Sequence, residues 1–277
     1  MELHILTFSP TGTSRKIAEG IAKGTGADKI QLTDITHPTS VEEDYDADKL
    51  LLVCVPVYGG HAAPTALKRM EGIRGNGAMA VPVVVYGNRH YERALKELDS
   101  FLTERGFRTI AAGTFIGEHS YSTEQTPIAV GRPDADDIAF AEHFGQRIAM
   151  KWNDAPNADA VDVDAIELPE QDDNIMQHFK QTVMSWMTSG LKMPASPVAD
   201  ASLCNTCGTC AELCPTSAIR KGNPQETDTT LCIKCCACVK GCPVQARNFP
   251  TPFAKLLTEN FTQRKENKFI IQSRPNV

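Results

Sequence analysis

Nine of the ten cysteines in this 277-residue chain fall between Cys204 and Cys242, with Cys54 standing alone. Their spacing repeats with a period of 28 residues: Cys204-x2-Cys207-x2-Cys210-x3-Cys214-Pro215, then Cys232-x2-Cys235-x2-Cys238-x3-Cys242-Pro243. Three closely spaced thiolates on one loop can wrap three corners of a cubane iron–sulfur cluster, and the fourth ligand must come from elsewhere. In runs of this kind the fourth cysteine serves the other cluster. Cys204, Cys207, Cys210 and Cys242 are therefore expected to hold one [4Fe–4S] cluster, and Cys214, Cys232, Cys235 and Cys238 a second. Zinc is the competing ligand, but zinc modules usually pair two Cys-x2–4-Cys knuckles across a longer spacer. Disulfide scaffolds are small and secreted, unlike this chain. Cys236 is surplus to the pattern and reads as a small packing residue; Cys54, inside an apolar run, reads as a buried inert thiol.

A second pattern stands near the start. Ser9-Pro10-Thr11-Gly12-Thr13-Ser14 follows a short apolar run and leads straight into a helical pattern. Hydroxyls and backbone N–H groups at a helix N-terminus make an anion site without a basic side chain. The Walker lysine of a nucleotide-binding loop is missing. Gly75 to Ala80 matches a dinucleotide fingerprint by letter, but it precedes an apolar strand pattern instead of following one.

The elements that would position these groups alternate. Apolar runs at 3–8, 49–58, 78–87 and 109–117 read as strands, and the stretches 14–24, 64–71, 91–106 and 134–152 as helices. Near-continuous apolar strands separated by helices predict an α/β, doubly wound parallel sheet covered on both faces. The expected division is 1–153 for this domain, 154–199 for an acidic linker with one packing helix, 200–250 for a small cysteine-rich domain, and 251–277 for a C-terminal helix and tail. The methionines and aromatics between Ile175 and Met187 read as core. Hydrophobic content of 42% suits a folded chain. With a net charge of -6 and no basic face, nucleic acid is not an expected partner. No apolar run approaches the length of a membrane span and no secretory signal is legible at the N-terminus, so a soluble, cytoplasmic protein is expected.

Residues 204–243 resemble a bacterial two-cluster ferredoxin, and the Ser9–Ser14 stretch resembles the FMN phosphate loop of flavodoxins. The whole chain resembles a fusion of flavodoxin-like and two-cluster ferredoxin-like domains found in anaerobic microorganisms. The resemblance implies FMN held through Ser9, Thr11, Gly12, Thr13 and Ser14. It also implies two strand-end loops beside the isoalloxazine: Val57, Tyr58 and Gly59 on one, and Gly87, Asn88, Arg89 and Tyr91 on the other. Tyr58 or Tyr91 would stack on the ring, and Arg89 would balance negative charge on reduced flavin. The long loop 117–133 would cover the site, and His61, His90 and His119 read as solvated rim histidines. The implied function is an electron carrier that moves single electrons between the clusters and FMN, with redox proteins as donor and acceptor. The alternative is a flavin-dependent reductase of a small-molecule acceptor, fed by the clusters.

Overall fold

The computed structural model describes residues 1–153, 159–169 and 173–272. Two compact units emerge, each drawn from separate pieces of chain. The first takes Met1–Glu118, Gly131–Leu168 and the residues from Lys265 onward; the second takes His119–Val130 and Pro169–Arg264.

The first unit is built from β1 (Glu2–Thr7), α1 (Thr13–Thr25), β2 (Lys29–Asp34), β3 (Lys49–Tyr58), β4 (His61–Ala62), α2 (Pro64–Arg69), β5 (Met79–Tyr86), α3 (Ala94–Thr103), β6 (Arg108–Thr109), β7 (Ala112–Ile116) and α4 (Ala135–Asn153). Two short strands of the second unit follow, β8 (Val198–Ala199) and β9 (Arg247–Asn248), and then β10 (Lys268–Ile270) returns to the first. The main sheet runs β10-β7-β5-β3-β1-β2. Its strands pair in parallel, except that β10 lies antiparallel to β7. All eight residues of β5 are buried, as expected of a strand covered on both faces. Ile17, Ala18 and Ile21 of α1 and Ala141, Phe144 and Ile148 of α4 close the core over Leu3, Leu52, Val83 and Phe115.

Apart from the two-residue strands, β2 and β10 escape the sequence pattern. β2 is an edge strand with mostly exposed residues, so it carries no continuous apolar run. β10 lies in 251–277, expected as a C-terminal helix and tail; α8 (Pro252–Asn260) forms the helix, and the tail after it adds a strand to the sheet. The expected linker is divided as well. Val161, Val163 and Ile166 are buried in the first unit, with Val161 N–H donating to Thr109 O at 2.9 Å. The linker residues 154–158 and 170–172, and the tail residues 273–277, lie outside the described residues.

One buried ion pair anchors the returning tail. Arg132 Nε donates to Asp137 Oδ2 at 2.8 Å, and its Nη2 pairs with Oδ1 of the same carboxylate. Arg132 Nη1 also donates to Lys265 O at 2.7 Å, and Asn267 Nδ2 donates to Asp137 Oδ1 at 2.7 Å. Asn267 Oδ1 in turn accepts the Ile116 N–H of β7 at 2.9 Å.

The second unit packs α5 (Asp173–Thr188) with α8: Phe179 meets Phe261 edge-on, and Trp186 meets Phe253. Ile175, Met176 and Phe179 cover Ile128 and Leu257, but Met187 is exposed, against the expectation that the stripe of Ile175, Met176, Phe179, Val183, Trp186 and Met187 is core. Among the described residues no helix is long and apolar enough to cross a membrane.

Replacing Asp137 by Ala leaves the buried Arg132 guanidinium without its carboxylate. A loss of about 3–5 kcal/mol is expected, measured by equilibrium denaturation.

Candidate functional site

Two places in the structure gather the residues singled out in the sequence. In the second unit, the cysteine-rich stretch is a structural repeat as well as a sequence repeat. Asp200 Oδ1 accepts the N–H and hydroxyl of Ser202, and Asp228 Oδ1 accepts those of Thr230. The Cys204 N–H then donates to Asp200 O, and the Cys232 N–H to Asp228 O. After the fourth cysteine of each half, an amide donates to its sulfur: Ala218 N to Cys214 Sγ and Ala246 N to Cys242 Sγ, both at 3.2 Å. Short helices, α6 (Thr209–Glu212) and α7 (Ala237–Lys240), carry the third cysteine of each half.

One pocket gathers cysteines of both halves. Its lining includes Cys232, Cys235 and Cys238 of the second half together with Cys214 of the first, beside Ile219 and Pro197. Among the described residues, no three His, Cys, Asp or Glu side chains converge closely enough for a single metal ion. Cys214, Cys232, Cys235 and Cys238, spread around a pocket that Cys236 also lines, instead suit a multi-iron group. Burial pushes the free thiols of Cys235 and Cys238 up, to about 12 and about 11. These sites would therefore hold neutral thiols near neutrality unless metal displaced the protons. Of the other expected set, Cys210 is buried, Cys204 and Cys242 are half-buried, and Cys207 is exposed. A hydrogen bond with Thr209 makes the Cys207 thiol more acidic than an ordinary cysteine.

Cys236 takes a backbone conformation that explains its place. It stands 28 residues after Gly208, and both cap their short helix with positive φ, 57° for Cys236 and 85° for Gly208. Its side chain is buried and also lines the cavity.

The second place lies in the first unit, at the C-terminal ends of β1, β3 and β5. The parallel register sets Thr7 beside Cys54 and Pro56 beside Val85, so the loops that follow open on one edge of the sheet. Gly12, left-handed at φ 85°, caps α1, and the Arg15 N–H donates to Ser9 Oγ at 3.0 Å. The first N–H groups of the helix have no intrahelical acceptor. Ser14 Oγ is fully buried and has no hydrogen-bond partner among the described residues. Donors without acceptors at a helix N-terminus suit an anionic ligand such as a phosphate. Sequence reasoning missed the supports of this loop. Thr36 Oγ1 accepts the Ser9 N–H at 2.8 Å, the Cys54 thiol donates to Ser14 O at 3.1 Å, and Gly117 lies so close to Thr13 that a Cβ there would stand 3.0 Å from Thr13 Cβ.

The other two loops differ in how they present their rings. Val57 and Tyr58 are half-buried at the end of β3, where Gly59 and Gly60 turn the chain into β4. Tyr91 is buried, its ring edge-on to Tyr86 at 5.6 Å, and Asn88 is buried beside it in the same loop. Arg89 pairs with Glu92 and its carbonyl accepts from Lys265 Nζ at 2.9 Å. Burial, with the Arg89 charge adding to it, pushes Lys265 down to about 8. The rim histidines are locally engaged: His61 with Glu97, His90 with the Glu92 N–H, and His119 with the Tyr121 N–H. The loop expected to cover this edge is divided, since His119–Val130 belongs to the second unit. There Tyr121 packs on Phe249 with its ring centroid 5.1 Å away, and Lys240 Nζ donates to Ser122 O.

The flavodoxin family profile matches residues 5–130, and the 4Fe-4S dicluster domain profile matches residues 196–249. Similar solved structures include a flavodoxin from the domain Archaea, at 14% identity and TM-score 0.38, covering 55% of this chain and 99% of that one. A flavodoxin of Streptococcus pneumonia TIGR4 gives 16% identity and TM-score 0.38, with 55% and 99% covered. The rubredoxin oxygen:oxidoreductase of the anaerobe Desulfovibrio gigas gives 16% and 0.40, with 55% and 36% covered. No curated protein matches the chain significantly. The two family matches imply electron transfer with FMN and iron–sulfur, and partners that are themselves redox-active.

Two outcomes are expected from this geometry. Cys236→Gly, which copies Gly208, should keep the full iron and sulfide content while relieving left-handed strain of about 1–2 kcal/mol; Cys235→Ala should lose iron. Lys265 binds its proton less tightly in the fold than in the unfolded chain. Between pH 8 and about 10.4 the unfolded state therefore holds more protons, and stability should rise with pH relative to a Lys265→Met variant. Denaturation midpoints of the two proteins across that range check it.

Proposed function

We propose that this chain, a fusion of a flavodoxin domain with a 4Fe-4S dicluster domain, is an electron carrier. It passes single electrons between two [4Fe–4S] clusters and FMN, and so links one-electron to two-electron redox partners. The observation that carries the reading is the cavity lined by Cys214 together with Cys232, Cys235 and Cys238, the crossed combination that a duplicated motif needs if it is to hold two clusters. When bound, FMN exchanges one or two electrons and each cluster exchanges one.

The chain's own residues supply the binding and the electrostatics. Ser9, Thr11, Gly12, Thr13 and Ser14 would hold the phosphate of FMN through hydroxyls and helix N–H groups, without a neutralising cation. Tyr58, half-exposed, is the ring better placed to stack on the isoalloxazine, whereas Tyr91 is engaged with Tyr86. Val57, Gly59, Gly87 and Asn88 would offer backbone groups to its edge, and Arg89 and Lys265 would set the local charge. Cys204, Cys207, Cys210 and Cys242 would hold the first cluster, and Cys214, Cys232, Cys235 and Cys238 the second. Hydrogen bonds to the sulfurs, such as those from Ala218 and Ala246, tune the potential of such groups.

An anaerobic reductive titration followed in the visible spectrum tests the reading. Uptake of about four electrons per chain is expected, two for FMN and one for each cluster. Uptake of about two electrons with no flavin bands would remove FMN, and with it the carrier reading.

A further inference from the structure

Arg247 is buried, only 4% exposed, and has no carboxylate partner among the described residues. Its Nη1 donates to Pro224 O at 2.6 Å, and its Nη2 to Thr227 Oγ1 at 2.7 Å and to Pro197 O at 3.2 Å. Nη1 also reaches Cys210 Sγ at 3.8 Å, while Nε has no partner. Cys210 and Cys238, the third cysteines of the two halves, pack in one buried cluster. Neutral carbonyls orient a guanidinium but do not balance it, and an unbalanced buried charge is costly.

The repeat shows that the fold does not require a cation here. Twenty-eight residues earlier, at the matching position after Cys214-Pro215, stands Ile219, which is buried against the same cysteines. One half fills the position with an isoleucine and the other with a permanent positive charge. Four thiolates around a cubane leave the assembly net negative, and reduction adds a further negative charge. That is the counter-charge this guanidinium lacks.

We propose that Arg247 is a fixed cation serving both clusters, touching Cys210 of one, which packs in the same buried cluster as Cys238 of the other, and that it raises both reduction potentials. The inference rests on the two-cluster reading given above. Each cluster takes one electron from the reductant and no proton, because the compensating charge is already in place. An electron placed beside the cation is stabilised, so removing the charge makes both clusters harder to reduce.

The test uses the full-length protein, reconstituted anaerobically. Iron and sulfide are counted first: eight of each per chain upholds the two-cluster reading, and a lower count in the native chain means that reading has failed, not the role of Arg247. Redox titrations monitored by EPR then compare the native chain with Arg247→Gln and Arg247→Lys. The expected result is a drop of both midpoint potentials in R247Q at unchanged iron content, with R247K closer to native. Unchanged potentials, or a shift confined to one cluster, would overturn the proposal. Should R247Q fail to hold iron, pulsed EPR of native protein labelled with guanidino-15N arginine decides. A 15N coupling to the reduced clusters that persists in the exposed-site variant Arg220→Lys supports the contact, and its absence overturns it.

Discussion

Cys214 belongs to the first cysteine run but lines a cavity with three cysteines of the second. The cause is local. The x3 step carries Cys214 past the end of α6, beyond the loop that presents Cys204, Cys207 and Cys210. A half-motif of this shape does not gather four sulfurs from itself, so each half depends on the other. The rest of the second unit is consistent with that dependence. β8 pairs with β9, Asp200 N–H donates to Ala246 O, and Asp228 N–H donates to Ala218 O, tying the start of each half to the residue four places past a fourth cysteine.

Charge removed from water is the other recurring problem, and the chain answers it in different ways. Arg132 and Asp137 neutralise one another and spend their remaining hydrogen-bonding capacity on the returning tail. Lys265, half-buried with its Nζ donating to Arg89 O beside the Arg89 charge, instead holds its proton less tightly. Arg247 cannot lose its proton at ordinary pH, so its charge must be met by its surroundings. The anion loop at Ser9–Ser14 inverts the problem: its donors are neutral, and the negative charge is left to the ligand.

What was legible in the sequence follows from what is local. Ligand spacing is a property of a few consecutive residues, and β3 and β5 declare themselves because both faces are covered and every position is apolar. β2 was illegible because an edge strand needs no such run. β10 was illegible because three residues in a basic tail become a strand only when β7 offers them an edge. Met184 and Met187 continue the helical stripe of α5, yet they extend beyond the surface that α8 covers. Nothing in the local sequence marks Arg247 as buried, although aligning the two halves on their cysteines sets it against Ile219.

By itself, then, the sequence determined the alternation of strands and helices, the duplicated cysteine spacing, and the hydroxyl-rich loop at a helix start. Each of these depends on periodicity or on spacing within a short stretch. Only the tertiary structure decided that residues 119–130 belong with the second unit and the chain from Lys265 with the first, that Tyr91 packs edge-on against Tyr86 while Tyr58 stays half-buried, and that Arg247 is buried against Cys210. Those outcomes depend on which distant surfaces meet and on what charge each of them leaves unbalanced, and neither is written in the spacing of neighbouring residues.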